Sequence, residues 1–169
     1  MKLSTPRKIV GAASLAIVLF LLILSWPNVR QRRQVAFMAA TLQGNVGRMK
    51  LLLALGASPE APACNTSLCP RPLFAAALDG HEEAVLLLLD RGADINGKMT
   101  RGQSALIAAA YEGHTDIVKL LLSRGANVNA DWEGCTALDS ARQKDHAEIV
   151  DLLQRAGAKD GGHCNELSR

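Results

Sequence analysis

A short block of sequence recurs four times along this chain, with a period of about 33 residues, and that recurrence limits the fold more than any other feature. Its clearest copy, Ser104–Asn129, reads SALIAAAYEGHTDIVKLLLSRGANVN. Ser104 stands where a helix cap is needed, because its hydroxyl can accept from an orphan N–H of the first turn. Leu106, Ala109 and Ala110 follow at helical spacing and give a small-residue apolar face. Gly113 closes that helix, since glycine reaches positive φ without a Cβ penalty. Thr115 and Asp116 open a second helix with Ile117, Val118, Leu120, Leu121 and Leu122 on its buried side, and Gly125 ends it. A helix pair this thin cannot bury its own apolar face.

The copies supply the missing surface. Leu73–Asn96 reads LFAAALDGHEEAVLLLLDRGADIN, with His81, Gly92 and Asn96 lying one period before His114, Gly125 and Asn129. Ala137–Ala158 places His146 and Gly157 one period, short by a single residue, after His114 and Gly125. Phe37–Ala57 places Gly44 and Gly56 before Gly80 and Gly92 at a slightly stretched period. Four such units predict a solenoid in which each gains its core from its neighbours.

The residues also resemble the ankyrin-repeat family. The likeness rests on the helix starts Arg71-Pro72-Leu73, Ser104-Ala105-Leu106 and Thr136-Ala137-Leu138, and on the Gly-His steps at Gly80-His81 and Gly113-His114. It rests equally on the endings Gly92–Asn96 and Gly125–Asn129. It covers roughly residues 34–159, in units at 34–59, 66–98, 99–130 and 131–159. Both ends depart from the pattern: Gly44-Asn45 and Asp145-His146 replace Gly-His. End units of such arrays are expected to be atypical, and Asp is one of the few residues that visits the left-handed region. The resemblance implies an all-α solenoid that binds a protein partner on a concave groove lined by its turns and inner helices.

Charge divides the chain. Residues 1–33 hold six Lys/Arg and no acid, whereas 34–169 hold 13 basic and 16 acidic residues. The repeats therefore carry no cationic stripe, which argues against a nucleic-acid partner. Behind the basic flank 1–8, Ile9–Trp26 is a continuous run without a charged side chain. As a helix it just spans a hydrocarbon core of roughly 30 Å. Trp26 and Lys8 suit the two interfaces. The expectation is one transmembrane anchor and a single-pass membrane protein. A cleaved signal peptide is the competing reading, in which the repeats are an exported factor acting on an extracytoplasmic enzyme. That reading is weakened by the length of the run and by Ser25-Trp26-Pro27-Asn28, which offers no small-x-small site. The flanks nearly balance in Lys and Arg, and the slight amino-terminal excess places the repeats on the extracytoplasmic side.

Residues 27–33 read as a short linker after Pro27, reaching at most roughly 20 Å. Pro59–Pro72 (PEAPACNTSLCPRP) lengthens the first period and reads as an exposed, non-helical finger. Cys64 and Cys69 within it can form a local disulfide in an oxidising compartment or stay as free thiols. Asn65-Thr66-Ser67 is formally a glycosylation acceptor. Two cysteines without further ligands do not make a zinc site. The tail 160–169 is short and polar, with fraying expected.

Candidates for chemistry are few. His81, His114 and His146 share one repeat position, so stacking holds them roughly 8–10 Å apart, too far to share an ion. The resemblance gives them a structural role at the turn. A thiol-dependent enzyme would have to use Cys135 or Cys164, yet no Cys–His–acid spacing and no phosphate-cradling glycine loop is present. No cofactor, metal or small-molecule substrate is implied. The better signals are aromatic residues where the pattern expects solvated ones. Trp132 lies near a turn tip and Tyr111 ends an inner helix, and both types make good interface anchors. With Arg101, Gln103, Glu112 and Glu133 they form the expected partner-binding set. Leu86 stands where Lys50, Lys119 and Asp151 stand in other copies, an apolar spot on an outer helix. The reading is a membrane-tethered, non-catalytic protein-binding scaffold.

Overall fold

The structure is a computed structural model that describes residues 27–62, 69–99 and 102–161. Four helix pairs follow one another: α1 (Pro27–Leu42) with α2 (Val46–Ala54), α3 (Pro72–Leu78) with α4 (Glu82–Asp90), and α5 (Ala105–Glu112) with α6 (Thr115–Ser123). A small antiparallel hairpin, β1 (Asp131–Trp132) and β2 (Cys135–Thr136), precedes the last pair, α7 (Ala137–Gln143) and α8 (Ala147–Arg155). The first helices of the pairs stack as an inner row and the second helices as an outer row. The fold is thus the helical solenoid expected, with one hairpin added. Its turn residues Glu133 and Gly134 have φ of 49° and 84°, the two positive values that a two-residue type I′ turn requires.

The inner helices are thin because they are alanine-rich. Ala75, Ala76 and Ala77, and then Ala108, Ala109 and Ala110, are all buried, which lets neighbouring backbones approach closely. One large residue per unit fills the space between rows: Phe37, Leu73, Leu106 and Leu138. The outer helices close the core through Leu88, Leu121 and Leu153. Ser104 caps α5 by accepting from Ile107 N–H at 3.3 Å, and Thr136 with Asp139 forms a reciprocal capping box on α7.

Two ladders of hydrogen bonds tie unit to unit. His81, His114 and His146 each donate from Nε2 to the last inner-helix turn of the preceding unit, at Leu42 O (2.9 Å), Leu78 O (2.9 Å) and Tyr111 O (3.1 Å). The imidazoles lie over Gly44, Gly80 and Gly113; a Cβ on Gly113 would come within 2.6 Å of the His146 ring. So the histidine holds the turn of the unit before it, more than the turn of its own pair. This explains both departures at the ends. Among the described residues unit one has no earlier turn to reach back to, and Asn45 instead caps α2 by accepting from Arg48 N–H at 3.0 Å. No imidazole among the described residues covers Asp145, whose φ of 59° its side chain tolerates. The second ladder runs through the loop ends: Glu60, Asn96 and Asn129 accept from the N–H groups of Asp94, Asn127 and Lys159 at 2.6, 2.8 and 2.8 Å.

Three segments differ from expectation. Residues 27–33 are not an extended linker but the first turns of α1, because Pro27 fits a first helical position, where its missing N–H costs nothing. The finger is pinned at its base. Glu60 pairs with Arg71 at 2.7 Å, and the buried Gln34 binds Ser58 O, Ser58 N–H and Ala61 O. The tail begins docked rather than frayed: Asp160 pairs with Arg142, and Gly161 N–H donates to Asp139 at 2.8 Å. The apolar run Ile9–Trp26 lies outside the described residues, as do Asn65 and the rest of the tail. Among the described residues no helix is long and apolar enough to cross a membrane.

Candidate functional site

Along the inner row, units two to four line a cavity of about 560 Å³. Unit two contributes Phe74 and Leu78, unit three Gln103, Ile107, Tyr111 and Glu112, and unit four Trp132, Cys135 and Gln143. Four of the expected partner-binding residues, Gln103, Tyr111, Glu112 and Trp132, thus meet around one space. Glu133 does not line it. As the first residue of the hairpin turn it stands exposed at the tip. Arg101 lies outside the described residues.

Local structure fixes each wall. Gln103 is held by the turn before α5, where its carbonyl accepts from Met99 N–H at 2.9 Å. Tyr111 lies in the last turn of α5, and its carbonyl is the one bound by His146, so the next unit immobilises the turn that carries the ring. Lys144 sits with its ammonium 4.3 Å from the Tyr111 ring centroid, a cation–π contact. Tyr111 holds the Lys144 pKa above the ordinary lysine value, first by hydrogen bonding and then by charge. Trp132 is paired through its strand with Cys135 and is half-buried against the core. Its indole Nε1 is enclosed and finds no acceptor among the described residues. So the indole serves partly as packing and partly as groove wall.

The cavity is suited to holding an apolar or aromatic group of a partner, with amides and Glu112 at its margin. It brings together no nucleophile and base. Cys135 is buried and disulfide-bonded, so it presents no thiolate. Cys69 is disulfide-bonded as well, whereas Cys64 and Cys164 lie outside the described residues. Among the described residues no three His, Cys, Asp or Glu side chains gather to hold a metal ion.

Phe74, Leu78, Ile107 and Gln143 escape the sequence reading, although a signal for two of them exists. Leu42, Leu78, Tyr111 and Gln143 occupy one repeat position, so the column containing Tyr111 points directly to Leu78 and Gln143.

A rigid helical stack with a groove across three units defines an interaction domain of the helical-repeat class. A family profile described as ankyrin repeats (3 copies) matches residues 9–99 and again 73–161, and the chain belongs to the ankyrin-repeat family. That membership makes it a protein–protein interaction domain. No curated protein matched the sequence.

Proposed function

We propose that this protein is a non-catalytic, membrane-tethered scaffold that captures a protein partner in the groove between Phe74 and Trp132. The observation that carries the reading is the convergence of Tyr111, Trp132, Leu78 and Ile107 on one cavity built from three consecutive units. Aromatic anchors in a preformed pocket lose little ordering entropy on binding. The tether is Ile9–Trp26, whose length and lack of charge suit a single span.

The repeats face an oxidising compartment in this reading, because Cys69 and Cys135 are disulfide-bonded and such bonds persist outside reducing cytosol. These two cysteines precede units two and four, two stacking steps or roughly 16–20 Å apart, beyond the span of one disulfide. Cys69 and Cys135 are therefore not each other's partner.

A photo-crosslinking residue placed at Gln143 in the full chain tests the groove. Adducts with one partner at Gln143, absent at Asp151 on the outer row and lost with Tyr111→Ala, support it. Equal crosslinking at Asp151 overturns it. Intact mass separates the tethered form from an exported one that has lost Met1–Trp26. A membrane-impermeant thiol reagent on intact cells reads the compartment. Labelling of the four cysteines only after reduction supports the oxidising side, and labelling only after permeabilisation without reduction overturns it.

A further inference from the structure

Equivalent positions should meet equivalent surroundings wherever a unit has a neighbour on each side. Leu51, Leu87, Leu120 and Leu152 share one column; the last three are buried or half-buried, but Leu51 is 60% exposed. Leu55 shares a column with Arg91 and Arg124, so unit one puts leucine where units two and three put a cation, and it is 55% exposed. Leu51 and Leu55 are four residues apart along the outer helix of unit one and share a face. Val35 and Leu42, seven apart on α1, are 49% and 47% exposed. Among the described residues the one other exposed large apolar side chain is Leu86, at 38%, in the column of Lys50.

The same unit is wholly cationic. The first acidic residue of the entire chain is Glu60, and before it unit one carries Arg30, Arg32, Arg33, Arg48 and Lys50. All of these but Arg33 are exposed; Arg33 is turned to Leu55 O. Exposed leucines interspersed with unopposed basic side chains are the composition of a surface that lies on anionic headgroups. In sequence the uncharged run ending at Trp26 immediately precedes α1, which begins at Pro27.

We propose that the flank of unit one docks on a lipid surface bearing anionic headgroups, with Leu51 and Leu55 in the headgroup–acyl boundary and Arg30, Arg32 and Arg48 on the phosphates. The proposal rests on the membrane-anchor reading, and it adds that the solenoid stands on the bilayer at its first unit with the groove of units two to four held away from it.

The test uses the full chain with Leu55→Trp, Trp26 and Trp132 being replaced by Phe so that one indole remains. It is reconstituted into vesicles of brominated phosphatidylcholine with or without phosphatidylglycerol. Quenching several-fold stronger with the anionic lipid, and lost when Arg30, Arg32 and Arg48 are changed to Glu, is the expected result. No quenching in a chain that resists alkaline extraction overturns docking and leaves the anchor standing. Extraction by alkali overturns the anchor, and quenching on added anionic vesicles then decides docking by itself. Burial of the introduced indole in a concentration-dependent dimer, without lipid quenching, assigns the flank to a second copy and overturns the proposal.

Discussion

The two ends of the stack are built on opposite plans. Unit four closes the array with a polar outer face: on α8 only Ile149 and Leu153 are buried, while Glu148, Asp151, Gln154 and Arg155 face water. Such a face is what a terminal repeat needs to end a stack in solvent. Unit one presents leucines and cations instead, with no acid before Glu60. The difference has a geometric root. The leucine column Leu52, Leu88, Leu121 and Leu153 is fully buried in the last three units and only partly buried in the first. Among the described residues the last unit has a unit before it and the first has none, which fits a column that packs towards the preceding unit. Among the described residues the open flank of the solenoid is therefore that of unit one.

Cavity formation should break the symmetry of the two ends most strongly. Leu153→Ala removes a fully buried side chain and is expected to cost about 3 kcal/mol, against about 1 kcal/mol for Leu52→Ala at the same repeat position. Urea unfolding of the full chain in detergent reads both. Equal losses would mean that unit one is covered as well as unit four, and the open-flank picture would fail.

A reciprocal exchange at the turn comes next in size. Gly113→Asp puts a Cβ at φ 85° and against the His146 ring, so it is expected to cost about 2–3 kcal/mol through left-handed strain and a broken bond to Tyr111 O. Asp145→Gly, at the matching position of unit four, should change stability by less than about 0.5 kcal/mol, because no described imidazole lies over it. If the two changes were similar, the ladder would not be the reason that interior units carry glycine. Smaller still is the paired change Leu51→Ser with Leu55→Ser. It should leave detergent unfolding within about 0.5 kcal/mol of the parent, since neither side chain belongs to the core.

Most of the fold is legible in the sequence because repetition amplifies weak signals. Gly80-His81 or Gly92–Asn96 alone would be an ordinary turn, but their recurrence sets the unit length, the helix pairs and the number of units. What stays hidden are contacts between units. Nothing local says that His146 reaches Tyr111 O or that Glu60 accepts from Asp94 N–H, since those partners lie 35 and 34 residues away. The start of α1 is misread because Pro27 looks like a break unless one knows that a helix follows it. Trp132 and Tyr111 stand out as aromatics in a polar pattern, and the structure brings them to one cavity. Phe74 and Ile107 do not stand out, being apolar residues in an apolar helix whose groove-facing side emerges only once the units are stacked.

The subtlest test concerns Trp132, which belongs to both the packing and the groove. Its indole N–H is enclosed without an acceptor among the described residues, and leaving a buried donor unmet costs about 1–3 kcal/mol. Trp132→Phe removes that donor while giving up part of the apolar contact with the core, a loss of similar size for a half-buried ring. The two nearly cancel, so the variant should unfold within about 0.5 kcal/mol of the parent. Trp132→Ala gives up the ring altogether and should cost about 2 kcal/mol. A loss above about 1.5 kcal/mol for Trp132→Phe would mean that the N–H already has an acceptor. Near-neutral stability together with weakened partner capture would show that the indole serves the groove wall more than the packing.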